Sequence, residues 1–437
     1  MNAEIRPIRT PAEQALIASF DGLPAGGDRL ADLRRAAARS FTEHGLPHRR
    51  VEEWKYTDLR TLMREAVPVA GTAAVAEADA RAKLLREVEA RRIVVANGAV
   101  VPELSELSGL EEGVTVTTLA AAIAAGDEVL SRVGGILPGR YDAALALNTA
   151  LARDGVIVTV APGVELVRPL HVAHVFAGDA AAASYARSLV VVGAGAKLTY
   201  VESFEGPEGI AYQANSATEF VVGDAAHLDV VRLQGESTNA IHLSTLLFDV
   251  GREAIVHAFT FATGASVART SLYATLSGDS SHVGFNGAAL LKGRQHSDST
   301  LFVDHQVPGC ESRELFKTVL DDSSRGVFQG KIVVRQAAQK TDGRMMSRAL
   351  LLGEDAEMDN KPELEIFADD VACGHGATCG DIDEELLFYL RARGIPLKEA
   401  QSLLVQAFVG EAIETVEHEG LREALVGQAE AWLKARG

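Results

Sequence analysis

A glycine-led unit recurs through the middle of the chain at a nearly constant interval, and no other feature narrows the possible folds as much. The unit reads as a Gly, three mostly small or polar residues, a variable residue and then an apolar one. It appears as Gly193-Ala-Gly-Ala-Lys-Leu198, Gly223-Asp-Ala-Ala-His-Leu228, Gly251-Arg-Glu-Ala-Ile-Val256 and Gly278-Asp-Ser-Ser-His-Val283, with a poorer first copy at Gly163-Val-Glu-Leu. Successive glycines are 30, 30, 28 and 27 residues apart. A fixed period in this range marks a stacked repeat in which each copy buries its apolar face against its neighbours. Between copies the chain consists of short Val, Leu, Ile, Thr and Phe runs punctuated by Gly and Asp, so strands fill each repeat. A parallel β-helix from about Gly155 to Asp370 follows. A large antiparallel sandwich or barrel would also show short strands with Gly turns; the regular spacing favours the solenoid.

The flanks have another character. Residues 10–65 and 75–91 are rich in Ala, Leu, Glu and Arg, with helical spacing at Leu30, Leu33, Ala37 and Phe41 and again at Ala82, Leu85 and Val88. Arg92 to Val95 reads as a short strand turned by Asn97-Gly98, and Tyr141 to Ala152 as a last helix before the change at Asp154-Gly155. After Gly380 the pattern returns to helix: Asp381 with Glu384 has the form of a capping box, Gly394 supplies a stop, and Pro396 suits the first turn of the next helix. The expected fold class is therefore mainly β with helical ends. A helical domain over 1–154 precedes a β-helix core over 155–378 and a helical domain over 379–437. The helix from Pro396 to about Glu417 carries one apolar row at Leu397, Leu404 and Phe408 and a second at Val405, Val409, Ala412 and Val416. One stripe suffices to dock on the chain's own core, so the second suggests a partner; simple burial between neighbouring elements fits equally well.

Two of three cysteines, Cys373 and Cys379, flank His375 where the strand region gives way to helix. Thiolate and imidazole are a protein's ligands for soft and borderline transition metals, so metal chemistry is expected here. On an extended strand Cys373 and His375 face the same side, about 6–7 Å apart, near enough to serve one metal centre. Gly374 and Gly376 leave the imidazole unobstructed, and the cluster falls on the last coil, where stacking is unfinished and another chain can complete it. A buried thiol and a turn histidine with ordinary structural roles are the plainer alternative. Three cysteines make no disulfide framework, and no CxxC pair exists to start a structural zinc site.

Other patterns carry less. Gly326 to Ile332 resembles a phosphate loop but is one residue short and lacks the Ser or Thr that holds magnesium. His171 and His174, three apart, would point to opposite faces of a strand and read as ordinary surface or coil residues. The acidic cluster Asp381, Asp383, Glu384 and Glu385 suits a helix N-terminus. No GxSxG, HExxH or dinucleotide fingerprint is present. A net charge of -18 disfavours nucleic acid and anionic lipid as partners. No run of about 18 apolar residues or leader-like segment is present, so a cytoplasmic protein is expected.

The run KPELEIFADDVACGHGATCGDIDEELLFYLRARGI resembles the signature region of the SufB/SufD family, scaffold subunits of the SUF iron-sulfur cluster assembly machinery. The likeness continues through SRELFKTVLDDSSRGVFQGKIVV and AQKTDGRMMSRALLL and reappears in GLPHRRVEEWKYTDL and ALNTALARDG, covering nearly the whole chain. HGAT where the SufB branch reads HEAT, and no cysteine motif near the N-terminus, point to the SufD branch. The resemblance implies a right-handed parallel β-helix between helical domains. It also implies a non-catalytic subunit that pairs with a SufB-type subunit, carries a SufC-type ATPase on its C-terminal helices and binds no nucleotide itself. His375 matches a histidine implicated in building a transient iron-sulfur cluster at the subunit interface, and Cys373 lies beside it. Cys379 stands where an aliphatic residue is expected in the family and receives no role. A homodimer of the isolated chain is left open. Two rivals remain: a stand-alone metal or thiol-redox binding protein, and a carbohydrate-active β-helix enzyme, the latter disfavoured by 5% aromatic content.

Overall fold

In the computed structural model, which describes residues 9–23, 29–106, 108–136 and 139–436, the recurring glycines mark places where backbone stacks directly on backbone. A Cβ on Gly193 would lie 2.5 Å from Pro162 N, one on Gly223 2.8 Å from Ala194 N, and one on Gly278 1.9 Å from Arg252 N. Only glycine fits such an approach. Two residues further on, Gly195, Ala225, Glu253 and Ser280 adopt left-handed conformations that turn the chain. The apolar residue that ends each unit, Leu198, Leu228, Val256 or Val283, is buried inside the rod. The unit is one corner of a coil, and its interval is one lap.

Three strands precede the coils: β1 (Arg91–Ala96), β2 (Ala99–Val100) and β3 (Val114–Thr118). The coils then supply strands in pairs. The first four pairs are β4 (Val156–Val160) with β5 (Leu170–Val175), β6 (Ala183–Val192) with β7 (Lys197–Glu205), β8 (Gln213–Val222) with β9 (His227–Gln234), and β10 (Ile241–Val250) with β11 (Ile255–Ala262). The last four are β12 (Val267–Leu276) with β13 (His282–Leu291), β14 (His296–His305) with β15 (Glu311–Leu320), β16 (Arg325–Val334) with β17 (Asp342–Leu351), and β18 (Glu357–Ile366) with β19 (Ala372–Gly380). Even-numbered strands form one sheet in the order β18 to β4, closed by β3; odd-numbered strands form the other, β19 to β5, closed by β1 and β2. Both ladders are parallel between coils, so the parallel solenoid expected from the spacing is present, and among the described residues it has eight coils. Gly326 to Ile332 lies within β16, not in a loop.

Parallel stacking puts like residues above one another, and the interior uses this. Phe220 and Phe248, register neighbours on β8 and β10, stack with centroids 4.7 Å apart, and Tyr200 of β7 and Phe285 of β13 meet them from the facing sheet at 5.5 and 5.4 Å. Each such ring removed from water contributes about 1.5–3 kcal/mol. The interior also holds charge: Arg232 Nε donates to Glu202 Oε2 at 2.6 Å, with Thr218 and Ser216 among the surrounding hydroxyls. Pairing and hydrogen bonding make that burial tolerable. His171 and His174 belong to this region. They sit on opposite faces of β5 as their spacing requires, but both are buried, not surface or coil residues: His171 bonds Ser203 Oγ at 2.8 Å and His174 stacks on Phe204. Burial drives the His171 pKa down to about 3, so it stays neutral.

The first 154 residues are more mixed than their composition suggests. Helices α1 (Pro11–Ala18), α2 (Arg29–His44), α3 (Leu59–Leu62), α4 (Val75–Arg81), α5 (Leu119–Ala125) and α6 (Ala143–Leu151) are joined by the three early strands. Helix does not continue through 82–91: Leu85 takes a left-handed φ of 55° and drops its side chain into the core beside the C-terminal helices. The Asn97-Gly98 turn joins β1 to β2, and β1 continues the odd-numbered sheet beside β5, so the segment contributes strands as well as helices. Helix α6 lies on β6, β8 and β10, and Asn148 Nδ2 donates to Ala186 O and Asn215 O across two coils. Trp54 is buried beneath the Arg269 guanidinium, 3.8 Å from it, and Thr57 bonds Asp298, which also pairs with Arg269.

Beyond β19 come α7 (Glu384–Ala392), α8 (Leu397–Ile413) and α9 (Glu419–Arg436). Strand structure persists to Gly380, so Cys379 belongs to β19. The cap of α7 is Asp383, whose Oδ1 accepts from Glu385 N and Leu386 N, and not the Asp381–Glu384 box expected from spacing. Gly394 takes the left-handed φ of 85° that ends the helix. No helix among the described residues is long and apolar enough to cross a membrane.

Candidate functional site at the last coil

β19 is fully extended, so alternation places Cys373, His375 and Cys379 on one face. In register, Cys373 stands over Gly343 of β17 and Ser312 of β15, while His375 stands over Met345 and Glu314. Gly343 makes room: a Cβ there would be 3.6 Å from Cys373 Sγ and 3.4 Å from Ser312 Oγ. The thiol therefore dips toward the core and is half-buried, whereas Gly374 and His375 are exposed because no described coil follows. Cys379, further along, receives a hydrogen bond from Asn360 Nδ2 of β18 at 3.2 Å, tying it to the opposite sheet rather than to His375. Cys310, the third cysteine, is fully buried among Gly278 O, Pro308 O and Ser281 Oγ and has a packing role.

Burial raises the Cys373 pKa, and the Asp342 and Glu314 carboxyls add to the shift, so the free chain holds a thiol. Metal must displace that proton to bind there. Burial also raises Cys379, partly offset by the Asn360 hydrogen bond.

Glu314 was not singled out by motif or spacing. It is buried two coils beneath His375, and neither carboxyl oxygen has a hydrogen bond of proper geometry among the described residues. Burial pushes its pKa up to about 8, with the Ser312 hydroxyl and the Arg313 charge offsetting only part of the effect. Its signal in the sequence is an acidic residue at an inward position of a strand otherwise ending in Phe316, Val319 and Leu320. A groove of about 690 Å³ runs beside the site, bordered by Arg313, Arg344, Met346, Cys373, His375 and Glu411.

The second set of expected positions lies on α8, except Val416, which falls in the link after Ile413. Val405, Val409, Ala412 and Val416 are buried against Val231, Phe259, Leu290 and Val319 of the odd-numbered sheet and against α9. This row is not available to a partner, a correction to the docking role expected for it. The reason is that a helix lying on a flat sheet with a second helix beside it needs apolar surface on both sides. Phe408 is half-buried under Lys317 Nζ at 4.4 Å, and Leu404 is half-buried. What remains exposed is another surface: Leu386, Phe388 and Tyr389 of α7 with Leu397 and Leu403 of α8.

Comparison with known proteins agrees with this architecture. A family described as "SUF system FeS cluster assembly, SufBD core domain" matches residues 174–408, and one described as "SufBD protein N-terminal region" matches 26–172. The chain is 33% identical over 411 residues to iron-sulfur cluster assembly protein SufD of Escherichia coli, covering 92% of this chain and 93% of that one. It is 32% identical to a SufBD family protein of Synechocystis over 89% and 87% of the two chains, and 27% identical to the chloroplastic protein ABCI7 of Arabidopsis thaliana over 94% and 87%. Two family matches end to end, on a parallel solenoid flanked by helices, lead to one conclusion: the chain belongs to the SufB/SufD family of iron-sulfur cluster assembly proteins and is of the SufD type.

Proposed function

We propose that this chain is a non-catalytic scaffold subunit that pairs through its last coil with a SufB-type subunit and holds a nascent iron-sulfur cluster, its cargo, between them. The observation that carries the reading is the state of β18 and β19: they end both sheets, and the His375 side is exposed where every earlier coil is covered. Unpaired strand edges favour addition of another chain. His375 and Cys373 offer two donors, whereas a cluster commonly takes four, so a second subunit supplies the rest and the cluster is shared and transient. Half-burial of Cys373 with its raised pKa suits a ligand that is loaded and released, since the proton returns when metal leaves.

The exposed apolar residues of α7 and the start of α8 supply a docking surface for a SufC-type ATPase. Phe388 is 75% exposed and Tyr389 and Leu386 are more than half exposed, a patch a lone soluble domain has little reason to present. Nucleotide use resides in that partner, and the free thiols fit a cytoplasmic, reducing setting.

His375→Ala should reduce cluster formation by the reconstituted three-subunit complex to about a tenth or less, a ligand's worth of affinity, while leaving assembly of the complex intact. Full cluster yield in that variant would refute the assignment of His375. Phe388→Asp should abolish co-purification of the ATPase without changing the melting temperature; retained co-purification would place the docking surface elsewhere.

A further inference from the structure

Away from the last coil, four potential ligands from three separate chain segments converge on the outer face of the odd-numbered sheet. His227 and Asp229 stand two apart on β9 and so share a face; His257 of β11 is the register neighbour of Asp229; Glu417 comes from the link between α8 and α9. We propose that His227, Asp229, His257 and Glu417 form a four-coordinate site for a divalent cation of zinc type, which staples the C-terminal helices to the solenoid.

The ligand atoms are close enough to share one cation. His227 Nε2 is 3.4 Å from Asp229 Oδ1, His257 Nδ1 is 3.3 Å from the same oxygen, His257 Nδ1 is 3.6 Å from Glu417 Oε1, and His227 Nε2 is 4.0 Å from Glu417 Oε2. One ligand atom from each residue lies within 4.8 Å of all the others. Zinc bonds of about 2.0–2.1 Å to nitrogen and oxygen require ligand-to-ligand edges of about 3.3–3.4 Å. Two edges already have that length. The two longer ones both end on Glu417, whose side chain is 57% exposed and free to move inward.

The imidazole rings are 5.7 Å apart and nearly perpendicular, so they meet edge to face and do not stack. His257 Nδ1 keeps a hydrogen bond to Asp229 Oδ1 at 3.3 Å, whereas His227 Nε2 is buried and has no hydrogen bond of proper geometry, which leaves it available as a ligand. Two neutral imidazoles and two carboxylates balance a divalent charge. With no thiolate in the set, the site disfavours Cu(I) and iron-sulfur clusters and suits zinc and its divalent neighbours.

Such a site would have a mechanical consequence. Glu417 reaches the sheet from the turn that follows the buried Val416, so a bound cation ties that turn to two adjacent coils. Stability gained by the folded state on metal binding scales with ligand concentration above the dissociation constant.

The test uses the purified full chain, stripped with chelator and titrated with Co²⁺ as a spectroscopic stand-in for zinc. Expected are one equivalent bound with the intense visible bands of tetrahedral Co²⁺, no thiolate charge-transfer band, displacement by Zn²⁺, and slowed amide exchange at 414–418. Since loss of even an outer-shell partner costs about 10–100-fold in affinity, His257→Ala should weaken binding by at least about 100-fold. The exposed-site variant Glu417→Gln, which disturbs no core contact, should weaken it by at least about tenfold. Cys373→Ser/His375→Ala should bind as wild type does. A pale octahedral Co²⁺ spectrum, or tetrahedral binding that survives His257→Ala and disappears in Cys373→Ser/His375→Ala, would overturn the proposal.

Discussion

The two ends of the solenoid are built on opposite plans. At the first coil the even-numbered sheet is closed by β3, antiparallel to β4, and the odd-numbered sheet by β1 and the hairpin strand β2. Around that end, the Asp154 carboxylate accepts from Val100 N and Ala120 N, and α2, α5 and α6 bury Leu30, Leu119 and Leu147. At the last coil no strand among the described residues follows β18 and β19 in the ladders, and Ile366 and Phe367 stand exposed. An uncovered parallel edge is an aggregation hazard that folded chains normally block. Here the same chain blocks one end thoroughly and leaves the other bare, which is what a surface reserved for a specific second chain requires.

This contrast can be broken by equivalent substitutions at the two ends. Leu119→Ala, at the closed end, should destabilise the isolated chain by about 2–5 kcal/mol in chemical denaturation, because it empties a buried site packed on Ile157 and Leu189 of the first coils. Phe367→Ala, at the bare end, should change stability by less than about 0.5 kcal/mol while weakening association with the SufB-type subunit. Equal destabilisation at both ends would remove the distinction.

A smaller effect sharpens the contrast just inside the bare end. Glu314 has a folded-state pKa of about 8, above its unfolded value, so the native chain holds this proton more tightly. Stability linked to that proton is complete below the unfolded pKa and is lost as pH rises through about 8. Glu314→Gln cannot ionise. Its denaturation midpoint should gain on wild type between pH 6.5 and pH 8.5 by the equivalent of about 2 kcal/mol. An unchanged difference across that range would mean the carboxyl is solvated.

Much of this organisation was legible in the sequence because stacking imposes a period. The glycine at each corner is demanded by backbone contact with the coil below, so the interval between glycines reports the lap length directly. Cys373 and His375 were legible for a similar reason, since strand alternation alone puts them on one face. What escaped notice depends on contacts that no local pattern records. Ala82, Leu85 and Val88 have helical spacing, yet they fill cores on different sides of an irregular turn. The apolar width of α8 does not say whether the second row meets a partner or, as it does, the chain's own sheet and α9. His227 and His257 lie about one coil apart and Glu417 is 160 residues further on; only the folded register brings them together.

The account rests most heavily on β19 being an edge that a second subunit completes. Amide hydrogen exchange over Ala372–Gly380 in the isolated chain and in its complex with the SufB-type subunit measures this directly. The account predicts fast exchange of the outward-facing amides in the free chain and strong protection of the same amides, with those of β18, in the complex. A complex that forms with protection confined to the helical domains, leaving β19 exchanging as it does alone, would contradict it.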